Sequence, residues 1–151
     1  MQTNKAGQIA RVADVVQSVD SIRLAEALSR GATAADRELT VLLQVNTSGE
    51  ESKTGFSTET VTPALEQILG LKGLHVAGLM TMAPFSSDQG LVRQTFADLR
   101  EVRDSLAKEF GKAAPLPELS MGMSHDFEIA IEEGSTIVRI GSAIFGPRAA
   151  E

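Results

Sequence analysis

Continuous apolar runs separated by amphipathic stretches constrain this chain more than any other feature. LTVLLQVN (Leu39–Asn46) reads as a strand buried on both faces, LHVAGLMTM (Leu74–Met82) as the next buried strand, LSMGM (Leu119–Met123) as another strand, and TIVRIGSAIF (Thr136–Phe145) as the last strand and its exit. DVVQSVD (Asp14–Asp20) reads as a shorter strand. Between them lie helix patterns. Ser21 caps one that carries Ile22, Leu24, Ala25 and Leu28 on one face and ends at Gly31. A second runs from a Thr58 cap to Leu69. The longest runs from about Leu91 to Phe110, with Val92, Phe96, Leu99, Val102, Leu106 and Phe110 as its stripe, and Gly111, Pro115 and Pro117 stop it. Ser124 is expected to cap a last short helix that Gly134 closes. Strands alternating with helices through short loops require a parallel sheet with right-handed crossovers. No repeat, linker or low-complexity tract interrupts the series, so residues 1–151 read as one domain.

The chemistry concentrates in the last quarter, SMGMSHDFEIAIEEGSTIVRIGSAIFGPR (Ser120–Arg148). Two Gly/Ser turns follow two apolar runs, and such turns offer backbone N–H groups and hydroxyls to a phosphate. Ser120, Gly122 and Ser124 belong to the first turn and Gly141 and Ser142 to the second. The alternative reading makes them turn and cap residues only. Arg139 sits inside an apolar strand, where a charge needs a partner. That partner is either a polar group of a ligand or a carboxylate such as Glu132 or Glu133.

Composition removes several other functions. A net charge of -6 excludes a general nucleic-acid surface. No run reaches the ~18 apolar residues of a membrane span. The 151 residues contain no cysteine, so thiolate catalysis and disulfides are absent, which fits a cytoplasmic location. His75 and His125 are isolated, without metal-ligand spacing. Lys72, Lys108 and Lys112 read as surface residues, and Lys53, in the loop after a strand, is the one lysine placed to serve as a reactive amine. Glu50/Glu51 and Glu132/Glu133 read as solvated charge.

Several segments, in order, match one family: QTNK (Gln2–Lys5), VVQSVDS (Val15–Ser21), LLQVNTSGEESKTGF (Leu42–Phe56), GLMTMAP (Gly78–Pro84), LSMGMSHDFEIAI (Leu119–Ile131) and GSTIVRIGSAIFGPR (Gly134–Arg148). On these the chain resembles the pyridoxal phosphate homeostasis proteins, whose barrel is similar to that of alanine racemases. The resemblance implies an α/β fold: a parallel (β/α) barrel of TIM type. It implies that the barrel is incomplete here, with the first two strands and most of the third missing and about six present, the chain being N-terminally truncated. It further implies pyridoxal 5'-phosphate as cofactor, bound in the family by a lysine on the first strand, upstream of QTNK.

Carried onto this sequence, the resemblance implies that Ser120, Met123, Ser124, Gly141 and Ser142 surround the phosphate and ring. Arg139 would face the pyridine nitrogen, and Met80, Met121 and Met123 would line the ring pocket. Asn4 and Lys5 match the end of the family's third strand. The implied role is a non-catalytic cofactor carrier. The alternatives are a phosphate-handling enzyme remnant using Lys53, or an inactive fragment. Without the first-strand lysine and with no tyrosine, racemase activity is not expected. Two open sheet edges are expected to be covered by a homodimer or a strand-swapped oligomer.

Overall fold

The computed structural model describes residues 5–50 and 53–146. The chain opens on α1 (Ala6–Val12) and β1 (Val15–Val19), followed by α2 (Ile22–Ala34), β2 (Leu39–Gln44), α3 (Val61–Leu69) and β3 (Leu74–Met80). It continues through α4 (Gln89–Phe110), β4 (Glu118–Met123), α5 (Phe127–Glu132), β5 (Ile137–Arg139) and α6 (Ser142–Phe145). Five strands form one sheet in the order β1-β2-β3-β4-β5, and every neighbouring pair is parallel. Sequence order equals spatial order, the arrangement of consecutive βα units in an open barrel. The expected sixth strand end, at Gln2–Asn4, lies outside the described residues. Lys5 is not in a strand but sits exposed at the N-cap of α1.

The strands form where β-branched and leucine side chains can be buried on both faces. Leu39, Val41 and Leu43 of β2 pack outward into the main core with the helices. Leu42 points the other way, into a smaller cluster with Ala77 and Met80, flanked by Met82 and Ile137. That second cluster fills the barrel interior. The stripe expected on α4 is present: Val92, Phe96, Leu99 and Leu106 are all buried. Asp88 caps this helix by accepting the N–H groups of Gly90 and Leu91.

Four local expectations need correction. Gly31 does not end α2, which continues to Ala34. A Cβ at Gly31 would lie 2.9 Å from both Ala10 Cβ and Gly7 Cα, so this glycine lets α1 and α2 pack closely. The helix expected from a Thr58 cap has its N-cap at Thr60, and Ser57 and Thr60 close the turn before it, each backbone N–H donating to the other's hydroxyl. Only Ile137–Arg139 of the last apolar run is strand, because Ser142–Phe145 turns into α6. Ser124 does not cap α5, and its hydroxyl is used elsewhere, as described below.

Glu132 and Glu133 are not simply solvated. Arg93 bridges both, and Arg100 meets Glu133 at 2.6 Å while also donating to the Glu133 carbonyl at 3.0 Å. These pairs tie α4 to the end of α5. Arg93 first, then Arg100, hold the Glu133 carboxyl below the usual glutamate range. A carboxyl lowered in the folded state stabilises the fold above its unfolded value and loses that contribution as pH falls through the folded one. The thermal midpoint is therefore expected to fall on acidification below about pH 4.3, the ordinary glutamate value. Glu133→Gln should start lower at neutral pH and show a shallower acid decline. Melting curves recorded across the pH range check both, and parallel declines would contradict the assignment.

Candidate functional site

The strand ends gather the chemistry. β3 continues into Thr81, β4 ends at Met123, and β5 ends at Arg139, so three C-terminal ends meet at one side of the sheet. A cleft of about 520 Å³ opens there, lined by Met123, Ser124, His125, Arg139, Gly141 and Ser142, among others. Five of the six residues singled out in the sequence are in that lining. Ser120, the sixth, lies below it.

The two Gly/Ser turns are joined by one oxygen. Ser124 Oγ accepts the N–H of Gly141 at 3.2 Å and of Ala143 at 3.2 Å. Ser124 therefore serves the start of α6 rather than its own helix. In its place, Asp126 Oδ1 accepts the Met123 N–H at 2.6 Å and closes the turn before α5. Gly122, at φ 91°, makes the approach possible, since a Cβ there would come within 2.6 Å of Ala130 Cβ.

Arg139 forms the floor of the cleft. Nη1 donates to Ser120 Oγ at 2.7 Å, and Nη2 donates to the Thr81 carbonyl at 2.9 Å. Ser120, fully buried, donates in turn to Gln17 Oε1 at 2.7 Å. A polar chain thus crosses the barrel interior from β1 through β4 to β5. Glu132 and Glu133, the carboxylates proposed as alternative partners, belong to Arg93 and Arg100 instead. Burial pushes the Arg139 guanidinium below its ordinary value, and Asp126, acting through space, opposes this. It stays charged, because arginine does not lose its proton in proteins.

Other candidates fall elsewhere. Met121 is fully buried among the helices, so it does not line a ring pocket, and Met80 packs in the interior cluster. Met123 does reach the cleft. Lys53 Nζ pairs with Glu50 Oε2 at 2.9 Å and donates to the Met82 carbonyl at 3.3 Å, outside the cleft. Asn4 and Glu51 lie outside the described residues. Among the described residues no group of His, Asp and Glu side chains is placed to hold a metal. The sequence reading missed Gln17 and Thr81, and His125 stands exposed in the turn before α5. His125 lines the cleft and meets Phe85 edge-on, with ring centroids 5.5 Å apart.

Consecutive βα units with a polar cleft at the strand C-termini define an open (β/α) barrel whose site lies where such barrels carry ligands. Residues 1–149 match the family model of the alanine racemase N-terminal domain. A pyridoxal phosphate homeostasis protein of Aquifex aeolicus is 44% identical over 148 residues, covering 98% of this chain and 64% of its own length. The human protein of that name is 41% identical over 139 residues, covering 89% of this chain and 50% of its own length. PipY of Synechococcus elongatus PCC7942, solved with PLP bound, superimposes with a TM-score of 0.88 at 34% identity, covering 97% of this chain and 67% of PipY. An alanine racemase of Clostridium difficile shares the fold alone, at 13% identity and a TM-score of 0.79. This chain belongs to the alanine racemase N-terminal domain family, in the branch of the pyridoxal phosphate homeostasis proteins. It spans 64% and 61% of the length of the first two such relatives.

Proposed function

We propose that residues 1–151 act as one pyridoxal-phosphate-binding domain, a non-catalytic carrier in cofactor homeostasis. The observation that carries this is the meeting of the Gly141 and Ala143 N–H groups on a single oxygen, Ser124 Oγ, at the mouth of a cleft floored by a half-buried arginine. A phosphate oxygen taking the place of Ser124 Oγ on these two amides would be held by converging N–H groups and neutral hydroxyls without a lysine. Ser124, Gly141 and Ser142 would hold the phosphate, with Met123 against the ring. Ser120 would act beneath it by fixing the Arg139 guanidinium.

When bound, pyridoxal phosphate supplies an aldehyde and an electron-withdrawing ring. Arg139 would face the pyridine nitrogen, and its positive charge disfavours protonation there by like-charge repulsion. A neutral ring withdraws electrons less, which favours carriage over carbanion chemistry. The chain has no tyrosine to act as an opposing acid or base. The enzyme reading based on Lys53 gains no support, because that lysine is engaged by Glu50 away from the cleft.

The cytoplasmic assignment rests on the absence of cysteine; no helix among the described residues is long and apolar enough to cross a membrane. A second copy, or an exchanged strand, would cover the edges at β1 and β5, which have no further neighbour in the sheet among the described residues.

Titration of the chain with pyridoxal phosphate, followed by absorbance and then borohydride reduction with mass mapping, tests the proposal. A saturable spectral change that inorganic phosphate competes away, with no single lysine fixed by borohydride, is the expected result. A stoichiometric adduct on Lys53 would replace the carrier reading with the enzyme reading.

A further inference from the structure

Beside the cleft lies a second cavity of about 170 Å³, between the β3–α4 loop and the turn after β4. Ala83, Val92 and Ile129 give it an apolar body, and Phe85, His125 and Asp126 stand around it. Val92 is 4% exposed and Phe85 is 93% exposed, so the site has an apolar floor and an exposed aromatic ring at its edge. An apolar cavity of about 150 Å³ accepts a benzene-sized guest. The volume therefore matches a compact apolar body.

The polar end selects further. The lining holds one carboxylate, Asp126, and no lysine or arginine. Asp126 Oδ1 takes the Met123 N–H, while Oδ2 makes no hydrogen bond among the described residues. Arg139 acts on Asp126 only through space, and the nearby Arg93 is engaged by Glu132 and Glu133. A carboxylate oxygen without a cation favours an ammonium group over a neutral or anionic one. The exposed Phe85 ring offers the same charge a π face.

We propose that this cavity binds a small primary amine carrying a compact apolar group, its ammonium directed to Asp126 and its body lodged against Val92 and Ile129. The cavity shares Met123 and His125 with the cleft but none of Ser124, Gly141 and Ser142, and it does not rest on the cofactor proposal. Its probe is benzylamine, titrated into the full chain without cofactor and followed by methyl NMR of Val92 and Ile129, with benzyl alcohol and benzoate in parallel. Benzylamine is expected to bind saturably and about tenfold more tightly than benzyl alcohol, a ratio in the range of one charge-assisted hydrogen bond. Benzoate is expected not to shift these methyls. Asp126→Asn keeps an oxygen for the Met123 N–H and should abolish the preference for amine. Phe85→Ala, at an exposed position, should leave the fold unchanged and weaken benzylamine several-fold. Equal affinity for amine and alcohol, an Asp126→Asn variant that keeps the preference, or shifts confined to other residues would each overturn the proposal.

Discussion

Replacing Arg139 with methionine is expected to weaken pyridoxal phosphate binding by about 10- to 100-fold, the range of one lost charge-assisted hydrogen bond. The guanidinium makes two bonds that no other side chain can supply together, to Ser120 Oγ at 2.7 Å and to the Thr81 carbonyl at 2.9 Å. Methionine fills much of the volume but donates nothing. The Thr81 side of the site then keeps an unpaired acceptor, which costs about 1–3 kcal/mol of stability. Arg139→Lys separates charge from geometry. It retains a cation opposite the cleft but cannot span both acceptors as a planar fork does. Affinity for the lysine variant should fall between wild type and methionine, while its melting temperature drops nearly as far as that of the methionine variant. Absorbance titration and thermal melts of the same samples check this. Wild-type affinity in Arg139→Met would remove the arginine from the site.

The largest loss of stability is expected from Gly78→Ala. In the β3–β4 pairing Gly78 lies opposite Glu118, and a Cβ at Gly78 would sit 1.9 Å from the Glu118 carbonyl oxygen. The obstacle is backbone, so no rotamer change relieves it. The two strands must move apart, and between them they carry Thr81, Ser120 and Met123 to the site. Overpacking of this kind costs at least about 3 kcal/mol, near the top of the usual range. For a chain of this size that lowers the melting temperature by roughly 10 °C. Gly7→Ala is the control, because a Cβ on that α1 glycine meets nothing within 4 Å. It should be neutral or slightly stabilising, since alanine is the better helix former. Equal melting temperatures for the two variants would contradict the close approach of β3 and β4.

Much of the architecture was legible because its signals are local. A run such as LTVLLQ, buried on both faces, suits a parallel sheet, and Ser21 announces its helix within three residues. α1 was not legible: it has seven residues and buries only Ala6 and Ala10, too small a face to mark a period. Gly31 misled for a related reason, since its purpose is contact with α1 and a sequence shows only that a glycine is present.

The site divides in the same way. Ser124, Arg139, Gly141 and Ser142 stand in turns and a strand whose residue types mark them, Met123 came from the family resemblance, and their meeting in one cleft is a product of adjacent strands. The Gln17–Ser120 bond joins residues 103 apart, and nothing local to either announces it. Met121 and Met123 would share a face in a regular strand. Gly122 at φ 91° and the register shift between Ser120 and Met123 part them, sending one to the core and one to the cleft.

The central claim is that a phosphate is held where Ser124 draws the two turns together. Amide NMR at single-residue resolution, during titration with pyridoxal phosphate, tests it most directly. The account predicts that the Gly141 and Ala143 amide protons shift first and furthest, that inorganic phosphate moves the same two, and that Ser124→Ala alters both responses. Saturation with cofactor that leaves these two amides unmoved, with shifts gathered around Lys53 instead, would contradict it.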